Sequence, residues 1–371
     1  MTVTSASVLL RDRLRAAANR QHIFNRLRVA PLFSMVTNVE NPAKAAAASD
    51  HRATPVGLSL ICIRARSLAR HLNGADRIEL IVAVINVLAT LALIAIISVR
   101  GLPFVWSALP HPAKVIGGLL TVGLLFRFGW CQEWISRFAS ALGLQIWTGL
   151  VTCCLMFATL GLQFPRIDAE LAAADRALGF DTLGLITWFA ASPVISAWLH
   201  WAYTYQGVKA AVLAVLPFIG RTDRMTEQTF IFSVGLVLAS LIAIFFPAHG
   251  PFLHLPVPTD VSAALPHGSG VYYLRVMESY RSGAVRTIDV SGLMGMVQFP
   301  SFHVYMALMM TWSVRGIRWL FWPVALFGLA AGLSALPIGG HYVVDMIGGA
   351  VLFAAVAAMA HKIRSQAPQI N

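Results

Sequence analysis

The sequence predicts an all-α membrane protein, a polytopic helical bundle, and three observations carry that prediction. Hydrophobic residues make up 57% of the 371-residue chain and charged residues only 12%, about half the charge density of an average soluble domain. The mean hydropathy is +0.70. The apolar residues come in long unbroken runs, not in the alternating ten-residue stretches of a barrel. Disordered, collagen-like and disulfide-scaffold chains are excluded by the same composition.

The first element, residues 1–77, is a basic arm. It holds 12 Lys/Arg against 4 Asp/Glu, eight of the twelve net positive charges of the chain. Nucleic acid is one partner such charge could meet, but in a membrane protein it reads as a cytoplasmic arm touching anionic lipid. The arm is expected to be partly amphipathic or disordered. Val8, Leu9, Leu14, Ile23, Phe24 and Leu27 alternate with Arg11, Arg15, Arg20, Arg26 and Arg28, as in a helix lying on a leaflet. Val56–Ile63 is too short for a signal peptide and runs into Arg64 and Arg66. Cys62, Cys131, Cys153 and Cys154 lack metal-ligand spacing and read as packing residues.

About eight membrane spans follow, near 78–99, 110–127, 144–163, 193–217, 229–247, 301–315, 319–337 and 341–360. The first three, within 78–163, form an N-terminal membrane section, and 164–361 form the second. With the N-terminus inside, Arg127/Arg137, Arg221/Arg224, Arg315/Arg318 and the 362–371 tail all fall on the cytoplasmic side. The expected location is the plasma (inner) membrane. Thr182–Ser192 reads either as part of the fourth span or as a separate interfacial or re-entrant helix. In the outer segment 164–192, Ile167, Leu171, Ala174 and Leu178 recur at helical spacing, predicting an amphipathic helix with its apolar face on the bilayer. The second outer segment, 248–300, opens on Pro247, Pro251, Pro256 and Pro258 and becomes helical around Val271–Arg281. A connection of about fifty residues usually has a function.

Among the acidic residues, Asp345 stands out within a predicted span, and an ionisable group there suggests a site. It lies four residues after His341, so on a helix the two share a face. A carboxylate on one imidazole nitrogen leaves the other as a base or nucleophile. His303 begins the sixth span and His341 the eighth from the same outer side, which sets both rings at one depth. Two histidines and a carboxylate make a nucleophile, an orienting group and a general acid possible. His200, His249, His254 and His267 lack such spacing and read as structural or interfacial.

Pro300-Ser301-Phe302-His303 and Ser334-x6-His341-x3-Asp345 resemble the second and third signatures of the phosphatidic-acid phosphatase type 2 (PAP2) superfamily, P-S-G-H and S-R-x5-H-x3-D. Phe302 in place of Gly, and Gly340-His341-Tyr342, are similar to the branch of fungal inositol phosphorylceramide synthase and its bacterial relatives. The likeness extends over about 160–360 through Arg166–Asp181, Pro247–Pro251 and Arg281-Ser282-Gly283. It implies a six-helix catalytic core in 164–361. It also implies His341 as nucleophile, Asp345 as its partner, His303 as general acid, and no metal or other cofactor.

The chain departs from the pattern where the family places cations. Ala335 stands for the third-motif arginine, and Lys209 with Leu216 and Pro217 gives no intact first motif. Arg281 and Arg286, ahead of Arg275, are therefore the expected substrate-binding cations, with Ser301 as a further donor. The resemblance implies an integral-membrane lipid phosphoesterase acting at the exoplasmic face on an amphiphilic phospholipid or isoprenoid phosphate, by hydrolysis or by headgroup transfer, as in an inositolphosphotransferase. Two other classes remain: a transporter or channel with Asp345 as ion site, and a zinc hydrolase with His303, His341 and Asp345 as ligands.

Overall fold

Paired charges let the membrane helices begin earlier than hydropathy alone places them. The computed structural model describes residues 74–205 and 207–365, all within the unit Gly57–Asn371. Most of the basic arm, Cys62 and the last six residues lie outside the described residues. The described residues form helices and no strand: α1 Gly74–Arg100, α2 Pro110–Phe128, α3 Glu133–Leu160, α4 Asp168–Ala177, α5 Thr182–Ala190, α6 Pro193–Thr204 and α7 Gly207–Phe218. They continue with α8 Thr222–Phe245, α9 Pro251–His254, α10 Thr259–Ala264, α11 Leu274–Arg281, α12 Phe302–Ser313, α13 Arg318–Ser334 and α14 Val343–Ser365.

Five helices are long and apolar enough to cross a membrane: α1, α2 with the turn before it (Trp106–Phe128), α3, α8 and α14. The outward face of α1 leaves Leu80, Leu88 and Leu91 more than half exposed, as lipid contact requires. Helix α3 starts eleven residues before the predicted span because Arg137 is neutralised by Asp76 and Glu79 of α1, each 2.9 Å away. Helix α8 likewise starts early and holds a second buried acid, Glu227. That carboxylate accepts from Trp312 Nε1 (2.9 Å), Arg315 Nη2 (2.8 Å) and Arg364 Nη1 (2.6 Å). Asp345 is thus not alone among acids inside the helices. A buried ion with all lone pairs matched offsets its desolvation.

The remaining predicted spans are broken or short. Residues 193–217 divide into α6 and α7, and α5 and α6 are bent by 106° at a break that ends in Pro193. Helix α12 has 12 residues and α13 has 17, about 18 and 25 Å at 1.5 Å per residue, against roughly 30 Å of hydrocarbon. Each falls short of the count of eight on length.

Side-chain pairs fix the directions of the helices. Glu79–Arg137, Asn86–Leu144, Gln145–Thr229 and Thr148–Ser233 make α1, α3 and α8 parallel. Tyr305–Ile231 and Trp312–Glu227 run α12 antiparallel to α8. One end of the bundle therefore gathers the starts of α1, α3 and α8 with the ends of α12 and α14, and it holds both ion-pair clusters. The starts of α12 and α14 lie at the other end. A core of Val82, Leu144, Phe230, Tyr305 and Val356 joins these five helices. Gly235 admits the Tyr305 ring against the α8 backbone, the close approach that small residues allow in membrane bundles.

The amphipathic segment folds as α4 and α5, but its apolar face meets protein. Leu171 and Ala172 pack on Ala248 and Tyr342, while Leu178 is exposed. The bilayer was the expected partner for that face; the chain just before α14 takes its place. Cysteine placement also differs. Cys154 is buried and Cys153 half-buried, whereas Cys131 is exposed, at a positive φ of 57°, and is not a core residue.

Candidate active site

His341 precedes α14 by two residues, so the His341–Asp345 pair is made by a turn and not by a helix face. Asp345, in the first turn of α14, accepts the Tyr342 amide at 2.9 Å. The same Oδ2 lies 3.4 Å from His341 Nδ1. Both side chains are buried. The His341 amide donates to Ala335 O at 3.1 Å, which folds the 335–341 turn back on itself.

His303 enters on the first turn of α12. The Ser301 amide donates to Asp345 O at 2.9 Å, and Gly348 and Gly349 on α14 leave room for Phe299, Pro300 and the Ser301 carbonyl. These contacts set the start of α12 directly on α14. The rings of His303 and His341 stand 6.4 Å apart between centroids. Tyr203 of α6 stacks on His303 with a centroid distance of 4.0 Å, and its hydroxyl meets that of Tyr272 at 3.1 Å. Burial pushes the Tyr272 phenol up, so it stays protonated.

A second layer of buried polar groups holds this end together. Asp168 accepts the His249 amide at 3.0 Å and the Gly250 amide at 2.8 Å. Asp175 accepts the Val343 and Val344 amides at 3.0 and 2.7 Å and the Thr182 hydroxyl. It thereby satisfies two orphan donors of α14 from another helix, with its charge at the positive end of the helix dipole. Gln298 Nε2 donates to Gly340 O at 3.0 Å and also meets Tyr273. Gly250 and Gly340, both at positive φ, sit in such close contact that a side chain on Gly250 would strike Gly340 O.

A cavity of about 600 Å³ opens on this end. Its lining combines polar rings, His200, Tyr203, His267, Tyr272, His303 and His341, with the apolar Met156, Phe232, Leu236, Val297, Phe302 and Met306. The structure thus brings His303, His341 and Asp345 together. It does not bring Arg281 or Arg286 to them. Both line a separate crevice of about 130 Å³ with Arg100, where Arg281 donates to Phe164 O (2.6 Å) and Arg286 to Arg100 O (3.2 Å). Ser301 is buried beside α14 with its amide already engaged and its hydroxyl without a partner, and it does not line the cavity. Leu216 and Ala335 are fully buried among apolar groups. Among the described residues, no three His, Cys, Asp or Glu side chains are arranged to hold a metal.

Sequence reasoning passed over Tyr203, Asp168 and Asp175, and read His200 and His267, which line the cavity, as structural or interfacial. A signal existed for the acids: Asp168 and Asp175 lie seven apart, on the same helical face as Leu171. A carboxylate within an apolar stripe marks a buried partner. Nothing local marked Tyr203.

No curated protein and no solved structure matches the chain. A model of the PAP2 superfamily matches residues 169–359, which include His303, His341 and Asp345. Helices α1 to α3 lie ahead of that match. The chain belongs to the PAP2 superfamily, a family of phosphatase-type membrane enzymes.

Proposed function

We propose that the protein is a membrane-embedded lipid phosphoesterase that works through a phosphohistidine on His341. The observation that carries this reading is that His303 and His341 both line a cavity whose lining is otherwise largely apolar, with Met156, Phe232, Leu236, Val297, Phe302 and Met306. A phosphate ester with a hydrocarbon body fits such a lining.

The geometry supports the following chemistry. Asp345 on Nδ1 leaves the Nε2 lone pair of His341 to attack phosphorus. As the N–P bond forms, the P–O bond to the leaving alcohol breaks, and His303 gives that oxygen its proton. Water or an acceptor alcohol then attacks the phosphohistidine and returns a proton to His303, and the N–P bond breaks. Water makes the enzyme a phosphatase. An alcohol makes it a headgroup transferase, like the inositolphosphotransferase branch its motifs resemble.

The site is assigned to the exoplasmic face. It lies at the opposite end from Arg127, Arg137, Arg315 and Arg364, and basic ends face the cytoplasm. The test of the mechanism is an acid-labile, alkali-stable phosphoprotein formed from a ³²P-labelled lipid phosphate. Wild type should accumulate it and His341→Ala should not. A labelled His341→Ala protein sinks the reading. Lipid products then separate phosphatase from transferase.

A further inference from the structure

A phosphoryl group in transfer spreads negative charge over its equatorial oxygens, and an enzyme must meet that charge with fixed donors. Among the described residues lining the cavity there is no lysine and no arginine, nor any aspartate or glutamate. Four imidazoles are there instead. His303 and His341 are occupied by the chemistry, which leaves His200 and His267.

We propose that His200 and His267 bind the phosphoryl oxygens, so that among the described residues the phosphate site is built from imidazoles and not from arginine or lysine. The proposal rests on the phosphoesterase reading and adds the ligands of the phosphate to it. His200 sits one turn before Tyr203 on α6, and residues three apart share a helix face. Tyr203 is the ring stacked on His303. His200 therefore faces the same cavity as His303. Its Nδ1 is buried and meets no partner, and a buried polar atom left unsatisfied calls for a ligand or a functional reason. The protein gives this ring no partner of its own to fix its tautomer.

His267 arrives on a different element. It belongs to Pro266-His267-Gly268-Ser269-Gly270, where Gly268 and Gly270 hold positive φ values of 80° and 70°. The Gly270 amide donates to Ile338 O at 2.8 Å. A Cβ on Gly340 would come 2.7 Å from Gly270 Cα. The loop is thus laid backbone to backbone on the turn that carries His341. Ser269 closes it by donating to Pro266 O, and Tyr272, just beyond, reaches Tyr203. The His267 ring is exposed at the cavity mouth. The two imidazoles thus come to the His303–His341 pair from α6 and from this loop.

The probe is orthovanadate, measured on the full-length protein in detergent as an inhibition constant and by calorimetric binding. His200→Gln and His267→Gln should each weaken vanadate by about tenfold, the scale of one hydrogen bond to a charged group. His200→Arg and His267→Arg should restore it. Arg281→Gln should leave it unchanged. Glutamine variants that bind vanadate as wild type does, or arginine variants no better than the glutamine ones, overturn the assignment. Should the His200 variants not fold, the His267 pair decides alone. Failure of the phosphoesterase reading has a different signature: wild type itself then shows neither vanadate binding nor a phosphoprotein.

Discussion

The ring of Tyr203 lies nearly parallel to that of His303, 4.0 Å away and tilted by 15°. Stacking on one face fixes the plane in which the His303 nitrogens point. Tyr203→Ala removes this support and should lower kcat by about tenfold, the cost of a misplaced general acid within the 10²–10⁴ range that such groups supply. Tyr203→Phe keeps the ring, loses the bond to Tyr272 and should retain more activity. Equal losses in the two variants overturn the stacking role.

His303→Ala should slow the first step by about 10²–10⁴-fold. A substrate with an aryl leaving group, which departs without a proton, should recover most of that loss. Stopped-flow comparison of alkyl and aryl phosphates measures it. If both substrates suffer alike, His303 does not protonate the leaving oxygen.

Asp175→Ala strands the Val343 and Val344 amides at the start of α14. An unsatisfied buried donor costs about 1–3 kcal/mol. The variant should melt at a lower temperature and lose activity, because the turn carrying His341 is fixed by the same helix end. Asp175→Asn keeps one acceptor oxygen and should fall between. A melting temperature equal to wild type in both variants contradicts the capping role.

Gly349→Ala places a Cβ against the Ser301 carbonyl oxygen, which is backbone and cannot step aside cheaply. The start of α12, and His303 with it, must shift. Since a displacement of about 1 Å can cost 10²-fold, turnover should fall strongly while the protein stays inserted. Gly348→Ala meets the edge of the Phe299 ring at 3.0 Å and should be milder. Turnover assays on both variants in the same membranes check the order.

Sidedness has its own test. Ser282, exposed near the end of α11, and Cys131, exposed between α2 and α3, lie at opposite ends of the bundle. In backgrounds carrying one cysteine each, an impermeant maleimide added to intact cells should label Ser282→Cys and spare Cys131. The reverse pattern would move the chemistry to the cytoplasm.

The sequence singles out the candidate trio that the fold brings together because its members are spaced locally: His341 and Asp345 are four residues apart, and His303 opens a neighbouring apolar run. Contacts between distant segments are not written that way. Tyr203 reaches His303 across a hundred residues, and Asp175 caps a helix 168 residues downstream. Nearness in sequence also misled. Arg281 and Arg286 precede His303 by only 22 and 17 residues, yet the end of α11 and the loop after it carry them to a crevice against α1 and α3. Span limits went astray where opposite charges cancel, as at Arg137 and Glu79, since hydropathy counts each charge as if it stood alone in lipid.

Thr152, Cys153 and Met156 line the cavity from α3, which ends before residue 169, where the family match begins. One part of the cavity wall therefore comes from a stretch of the polypeptide that carries none of its histidines. An exchange of residues 133–160 for those of a relative would leave every histidine in place and rebuild one wall of the chamber. The chain lengths an enzyme of this design accepts can then drift, or be engineered, without touching the bond it breaks.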